Sequence, residues 1–214
     1  MPRIDDYRQA RGIARKALST GDPDLISRFS GAVIQKVNDG EKVFTLTFLN
    51  RTLLITWPDL EISYKEDREE VPIQQQVLLL HYLNGAVSSR GTPATGKWIS
   101  FQDVPDGRFY MDAFIKRAKD PLLRTFGSHP ERMPELTAQA YGASPLDYGD
   151  FSVIVKAFPL VPVALVLWEG DDEFPPDGNI LFDRNISGIL SAEDIAWLAG
   201  MIVYPLMGMA KKKA

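Results

Sequence analysis

The stretch from Phe151 to Asp183 constrains this fold more than any other part of the chain. Phe151, Val153 and Val155 alternate with Ser152, Ile154 and Lys156, the period of two expected of a strand with one face on a core. Ala157 to Pro162 then contains Pro159 and Pro162. Proline fixes φ and has no amide donor, so this segment is expected to be a break or an edge. Val163, Ala164, Leu165, Val166, Leu167 and Trp168 follow without a polar residue, a short run that suits a strand buried on both faces. Directly after it stand Glu169, Asp171, Asp172, Glu173, Asp177 and Asp183, with no basic residue before Arg184. Pro175, Pro176, Asp177 and Gly178 make a stiff turn. With Asn179 to Phe182 returning as a strand, the expectation is a hairpin with an acidic, proline-stiffened loop.

Carboxylates held close repel one another unless positive charge sits among them. A hard cation such as magnesium or calcium prefers oxygen ligands. Glu169, Asp171, Asp172, Glu173 and Asp183 are therefore the candidate metal ligands, or acid–base groups of a metal-dependent hydrolase or transferase. The pattern is not an EF-hand, because Pro175 occupies the third ligand position counted from Asp171. Two other readings stay open. The charges are a solvated guard against edge-to-edge strand association, or they form the docking face of a protein-interaction module for a basic partner.

At 214 residues, 45% hydrophobic and 24% charged, the chain has ordinary globular composition and enough length to bury a core without staples. The net charge of −4 supplies no global basic field for nucleic acid. Zero cysteines exclude disulfides, thiolate zinc and iron–sulfur ligation within the chain. Met1 to Leu18 is charged and periodic, unlike a signal peptide, and no apolar run reaches membrane-spanning length, so a cytoplasmic location is expected.

Tyr7, Ala10, Ile13, Ala14, Ala17 and Leu18 predict an amphipathic helix over residues 3–19. A short helix between Asp22-Pro23 and Gly31 follows. From Ala32 to Tyr64 the period becomes two, with turns at Asn38-Asp39-Gly40, Asn50-Arg51 and Pro58-Asp59. That predicts a four-stranded antiparallel meander. Pro72 opens a helix expected to end at Asn84-Gly85. A further helix after Gly107 carries Phe109, Ala113, Phe114 and Ala118 on its apolar face, and Pro121 interrupts or restarts it. Glu131 to Tyr141 makes another, closed by Gly142. Ser191 to Asp194 resembles a capping box, and the helix it opens is expected to end at Pro205 and Gly208, with Lys211 to Lys213 as a solvated tail. The fold class is α+β, an antiparallel meander and a second strand pair packed against several helices. It is expected as a single domain over 1–214, with lobes 1–70 and 71–214 as the alternative.

Gly91-Thr92-Pro93-Ala94-Thr95-Gly96-Lys97 matches seven positions of a phosphate-binding loop, but the eighth, which must be serine or threonine, is Trp98. The segment follows a helix and leads into a strand, the reverse of what that motif needs. Lys97 and Trp98 remain candidates to face an anionic ligand. His81 lies in a helix that is apolar around Val77 to Leu80, with no second histidine or cysteine at ligand spacing. Lys116, Arg117, Lys119 and Arg124 form a local basic cluster, expected as a solvated helix face.

A set of phrases is distinctive together: Leu78 to Leu83, Gly96 to Phe101, Phe126-Gly127, Phe158-Pro159, Trp168 to Pro176, Leu181-Phe182-Asp183 and Glu193-Asp194-Ile195. This resembles the prokaryotic family "domain of unknown function 3786", from about residue 30 onward. Members occur largely in anaerobes, and some are joined to an iron–sulfur domain like those near corrinoid methyl-transfer proteins. The resemblance thus implies an accessory or ligand-binding protein linked to corrinoid or redox one-carbon metabolism, with an iron–sulfur or corrinoid protein as partner. His81, Lys97, Trp98 and Trp168 would then line a ligand pocket together with the acidic turn. The chain lacks the Asp-x-His-x-x-Gly corrinoid signature, since Leu79 stands two residues before His81, and it has no cysteine for a cluster.

Overall fold

Alternation between Val33 and Tyr64 does fold as a meander, and the apolar run before Trp168 does become an inner strand. The computed structural model describes residues 4–38 and 41–212. Its packing divides the chain into two compact units, Met1–Pro93 with Gly188–Leu190, and Ala94–Ser187 with Ser191–Ala214.

In the first unit, helices α1 (Ile4–Ser19) and α2 (Pro23–Ser30) both pack on α3 (Ile73–Ser88). The α1 stripe runs through Tyr7, Arg11, Ala14 and Leu18, the last two buried. Ile13, expected on that stripe, is 65% exposed. One residue is about 100° of helix rotation, so Ala14 and Ile13 cannot share a face. Asp22 caps α2 by accepting from the Asp24 amide at 2.8 Å, and Gly31 closes it at φ 74°. Helix α3 does not stop at Asn84-Gly85. It continues to Ser88, because Gly85 serves close approach instead of termination: a Cβ there would stand 1.8 Å from the Ile189 carbonyl oxygen.

Strands β1 (Val33–Asn38), β2 (Glu41–Phe48), β3 (Arg51–Trp57) and β4 (Ile62–Tyr64) form an antiparallel sheet in chain order. Phe44, Leu46, Phe48, Leu53 and Ile55 are buried on one face, as their period requires. The β2–β3 turn falls on Leu49-Asn50, both at positive φ, one residue earlier than Asn50-Arg51. Of the first expected turn, Asp39-Gly40 lies outside the described residues.

The second unit is built on a five-stranded antiparallel sheet of order β5-β9-β8-β7-β6. The strands are β5 (Trp98–Ile99), β6 (Ser144–Pro145), β7 (Phe151–Phe158), β8 (Val161–Trp168) and β9 (Asp177–Asp183). The expected second strand pair is thus the centre of a larger sheet. Strand β8 is its middle, and Val163 to Leu167 are all at 0% exposure, which explains why that run has no polar residue. Pro159 and Pro162 do not break the sheet. Pro159-Leu160 turns β7 into β8, and Pro162 pairs only with Lys156, beyond the β9 register that begins at Val163.

Helix α4 (Gly107–Phe114) runs into a π-helical turn (Ile115–Lys119) and then α5 (Asp120–Phe126). The Asp120 amide bonds the Ile115 carbonyl, a five-residue step. Pro121 has no amide to offer the preceding turn, so the helix widens there without ending. Phe109 is 86% exposed, while Phe114 is buried and stacks on Phe101 at 4.3 Å. Helix α6 (Arg132–Tyr141) ends at Gly142 in left-handed conformation, as expected, and packs on β7. Helix α7 (Ala192–Lys212) starts at the predicted cap, where Ser191 and Asp194 bond reciprocally. It does not end at Pro205. Packing against α4, α5 and α6 carries it past the proline, and the Tyr141 hydroxyl donates to the Ile202 carbonyl at 2.7 Å in the turn before it. Lys211 and Lys212 are its last turn, and Lys213 lies outside the described residues. Among the described residues no helix is long and apolar enough to cross a membrane.

Candidate functional site

The β8–β9 hairpin places the acidic residues. The ladder runs from Val163 opposite Phe182 to Trp168 opposite Asp177, and residues 169–176 form the connecting turn. That turn is braced at three places. The Glu169 amide donates to Asp150 Oδ2 at 2.8 Å. Asp171 Oδ1 accepts from the amides of Glu173 and Phe174 at 2.8 and 2.7 Å, while the Asp171 amide donates to the Phe174 carbonyl at 2.9 Å. Lys119 Nζ stands 3.4 Å from Asp177 Oδ1 at the returning end. Gly170 is required by close approach, since a Cβ would meet Pro176 Cδ at 2.6 Å.

The turn folds over Gly127, Ser128 and Pro130 to enclose an open recess of about 640 Å³. Glu169, Asp171, Asp172 and Glu173 line it together with Phe174, and no basic residue does. Phe174 is 67% exposed. The amides of Phe174 and Glu173 hold the Asp171 carboxyl below the ordinary aspartate range.

Asp183, expected among the same ligands, has a different place. It ends β9 opposite Trp98 and is fully buried. Its carboxylate accepts from the Thr95 amide at 2.9 Å, the Thr95 hydroxyl at 2.9 Å, the Gly96 amide at 2.6 Å and the Asn185 amide at 3.0 Å. Burial pushes its carboxyl up, and the donors from Asn185, Thr95 and Gly96 outweigh that and hold it below the usual value. The loop that resembles a phosphate cradle therefore wraps an anion of its own chain: two of its amides are already bonded to Asp183.

Among the described residues no three histidines, aspartates or glutamates are grouped to hold a metal ion. Asp183 is saturated by protein donors, while Asp171 spends one carboxylate oxygen on its own turn.

Trp98 and Trp168 pack on the same buried cluster of Ala164, Val166 and Leu181 from opposite ends of the hairpin, Trp98 opposite Asp183 and Trp168 opposite Asp177. Lys97 is exposed beside Trp98, its carbonyl accepting from the Arg184 amide at 2.9 Å. His81 is half-buried on α3 of the first unit, between buried Leu80 and Tyr82. Sequence reasoning missed the Gly127–Pro130 wall of the recess, the Asp150 anchor and the Thr95 partnership. Only the last left a trace, in the glycine-flanked loop whose phosphate motif fails at its final position.

The family model described as "Domain of unknown function (DUF3786)" matches residues 22–204. No curated protein and no solved structure matches the chain.

Proposed function

The chain belongs to the DUF3786 family of domains of unknown function, and from that premise we propose that it is an accessory binding protein whose acidic turn docks a positively charged partner. One observation carries the reading. The turn is braced at Asp150, Asp171 and Asp177, yet Glu169, Asp172 and Glu173 form no ion pair among the described residues. A held backbone with unpaired carboxylates keeps its charge available, and such complementarity governs encounter rate and partner choice. Exposed Phe174 adds apolar contact at the same rim. We take the partner to be an iron–sulfur or corrinoid protein with a basic face, the class that the sequence resemblance implies, with the cofactor carried by that partner. The hydrolase or transferase reading has no comparable support, because among the described residues no three carboxylates group around a cation site.

A fluorescent deca-lysine peptide tests the turn. Wild type is expected to bind it with strong salt dependence, since exposed charges are screened over about 8 Å at physiological ionic strength. The triple variant Glu169→Gln, Asp172→Asn, Glu173→Gln is expected to lose at least tenfold in affinity. Equal binding by variant and wild type ends the proposal. Aquocobalamin titrated against the protein alone is expected to leave its visible spectrum unchanged, and a spectral shift would move the corrinoid onto this chain.

A further inference from the structure

The basic cluster of residues 116–124 does not act as one face. Lys119 is taken by Asp177, and the Arg117 guanidinium lies over the Trp197 ring at 4.6 Å. Lys116 and Arg124 remain. Arg132 from the start of α6 and Lys211 from the last turn of α7 join them around a second recess of about 500 Å³. Among the described residues none of these four cations has an ion-pair partner and no carboxylate lines the recess. That is a marked local excess in a chain of net charge −4. Like charges gathered without a counter-charge repel, and an arriving anion relieves that.

The site is built on helices. Arg132 is half-buried, and its Nη2 donates to the Ala210 carbonyl at 3.2 Å, which fixes the guanidinium against the end of α7. Arg124 Nε donates to the Asp120 carbonyl at 3.3 Å, which restrains its stem. The π-helical turn carries Lys116, and widened turns of this kind recur at functional sites. Tyr204 and Met207 line the same recess, the tyrosine 53% exposed. Arginine forks match phosphoryl oxygens bidentately, and an exposed aromatic face accepts a flat apolar group.

We infer that this recess binds a small phosphorylated ligand of the mononucleotide class. The phosphates lie among Lys116, Arg124, Arg132 and Lys211, and the planar group lies against Tyr204 and Met207. The volume falls within the usual range for small-ligand sites, about 300–1,000 Å³. The recess shares no lining residue with the acidic one, so this inference does not depend on the docking proposal.

Isothermal titration of the full chain with ADP, inorganic pyrophosphate and adenosine tests it. Saturable binding of ADP is expected, with pyrophosphate at least fivefold weaker and adenosine weaker still. Arg124→Gln with Lys211→Gln, both exposed positions, is expected to weaken ADP at least tenfold without lowering the thermal midpoint of the free protein. Arg132→Lys keeps the charge and removes the fork, and is expected to weaken ADP about fivefold. Absence of saturable ADP binding overturns the inference. So does binding that the double variant leaves intact, or a single-stranded RNA oligomer that displaces ADP at a lower concentration than ADP itself needs.

Discussion

The two ends of the β8–β9 hairpin both carry carboxylates, and they use them in opposite ways. At the turn end, Asp171 spends one oxygen on the amides of Glu173 and Phe174, while its neighbours stand in solvent without cations. At the other end, Asp183 is withdrawn from water and bonded by Thr95, Gly96 and Asn185. The residue type is the same and the separation is one short strand. What differs is the density of donors each backbone position can see. Where a second loop closes over the strand, the charge becomes a structural bond. Where the chain merely reverses, the charge stays available to a partner.

The largest test of this contrast is Asp183→Ala. It leaves the donors of Thr95, Gly96 and Asn185 without an acceptor in a buried place, and is expected to cost about 3 kcal/mol of stability by urea denaturation. A loss no larger than that of a surface substitution would erase the difference between the two ends. Acid titration comes next. The folded Asp183 carboxyl titrates below its unfolded value, so its stabilisation is complete above about pH 4 and is lost as pH falls through the folded value. The stability gap between wild type and Asp183→Asn is therefore expected to narrow steadily from about pH 4 downward. A gap independent of pH would show that the carboxylate's charge is not what the loop needs. Thr95→Val is smaller: it removes the hydroxyl donor and keeps the amide, for about 1 kcal/mol. The smallest effect belongs to Asp171→Ala. Its thermal midpoint is expected to match wild type, while hydrogen exchange at the Glu173 and Phe174 amides accelerates. A clear fall in midpoint would give the turn the same structural weight as Asp183.

Much of the frame was legible because periodicity reports burial directly. The meander from Val33 to Tyr64, the inner strand at Val163 to Trp168, the acidic hairpin and the Ser191 cap all follow from local pattern. The failures share one cause, which is that the deciding partner is far away in the chain. Gly85 has the composition of a helix cap, and only the Ile189 carbonyl, brought in from a hundred residues away, makes it a contact point. Pro205 has the composition of a stop, and packing against three other helices carries α7 through it. The same holds for the site. Glu169 to Glu173 could be found as a cluster of charge, but the wall of Gly127, Ser128 and Pro130 has no charged side chain to announce it. Lys116 and Arg124 could not be separated from Arg117 and Lys119 before Trp197 and Asp177 were seen to claim the latter pair.

The wide turn at Ile115–Lys119 also sets an angular phase. A regular α-helix advances about 100° per residue, so shortening this segment by one position would swing α5 around its axis by roughly that angle. Arg124 would then leave the side of the helix it shares with Lys116, and the gathered positive charge would disperse over separate faces. Length variation at this single turn would thus decide whether a member of the family keeps the cation-rich hollow, without any change to the cations themselves.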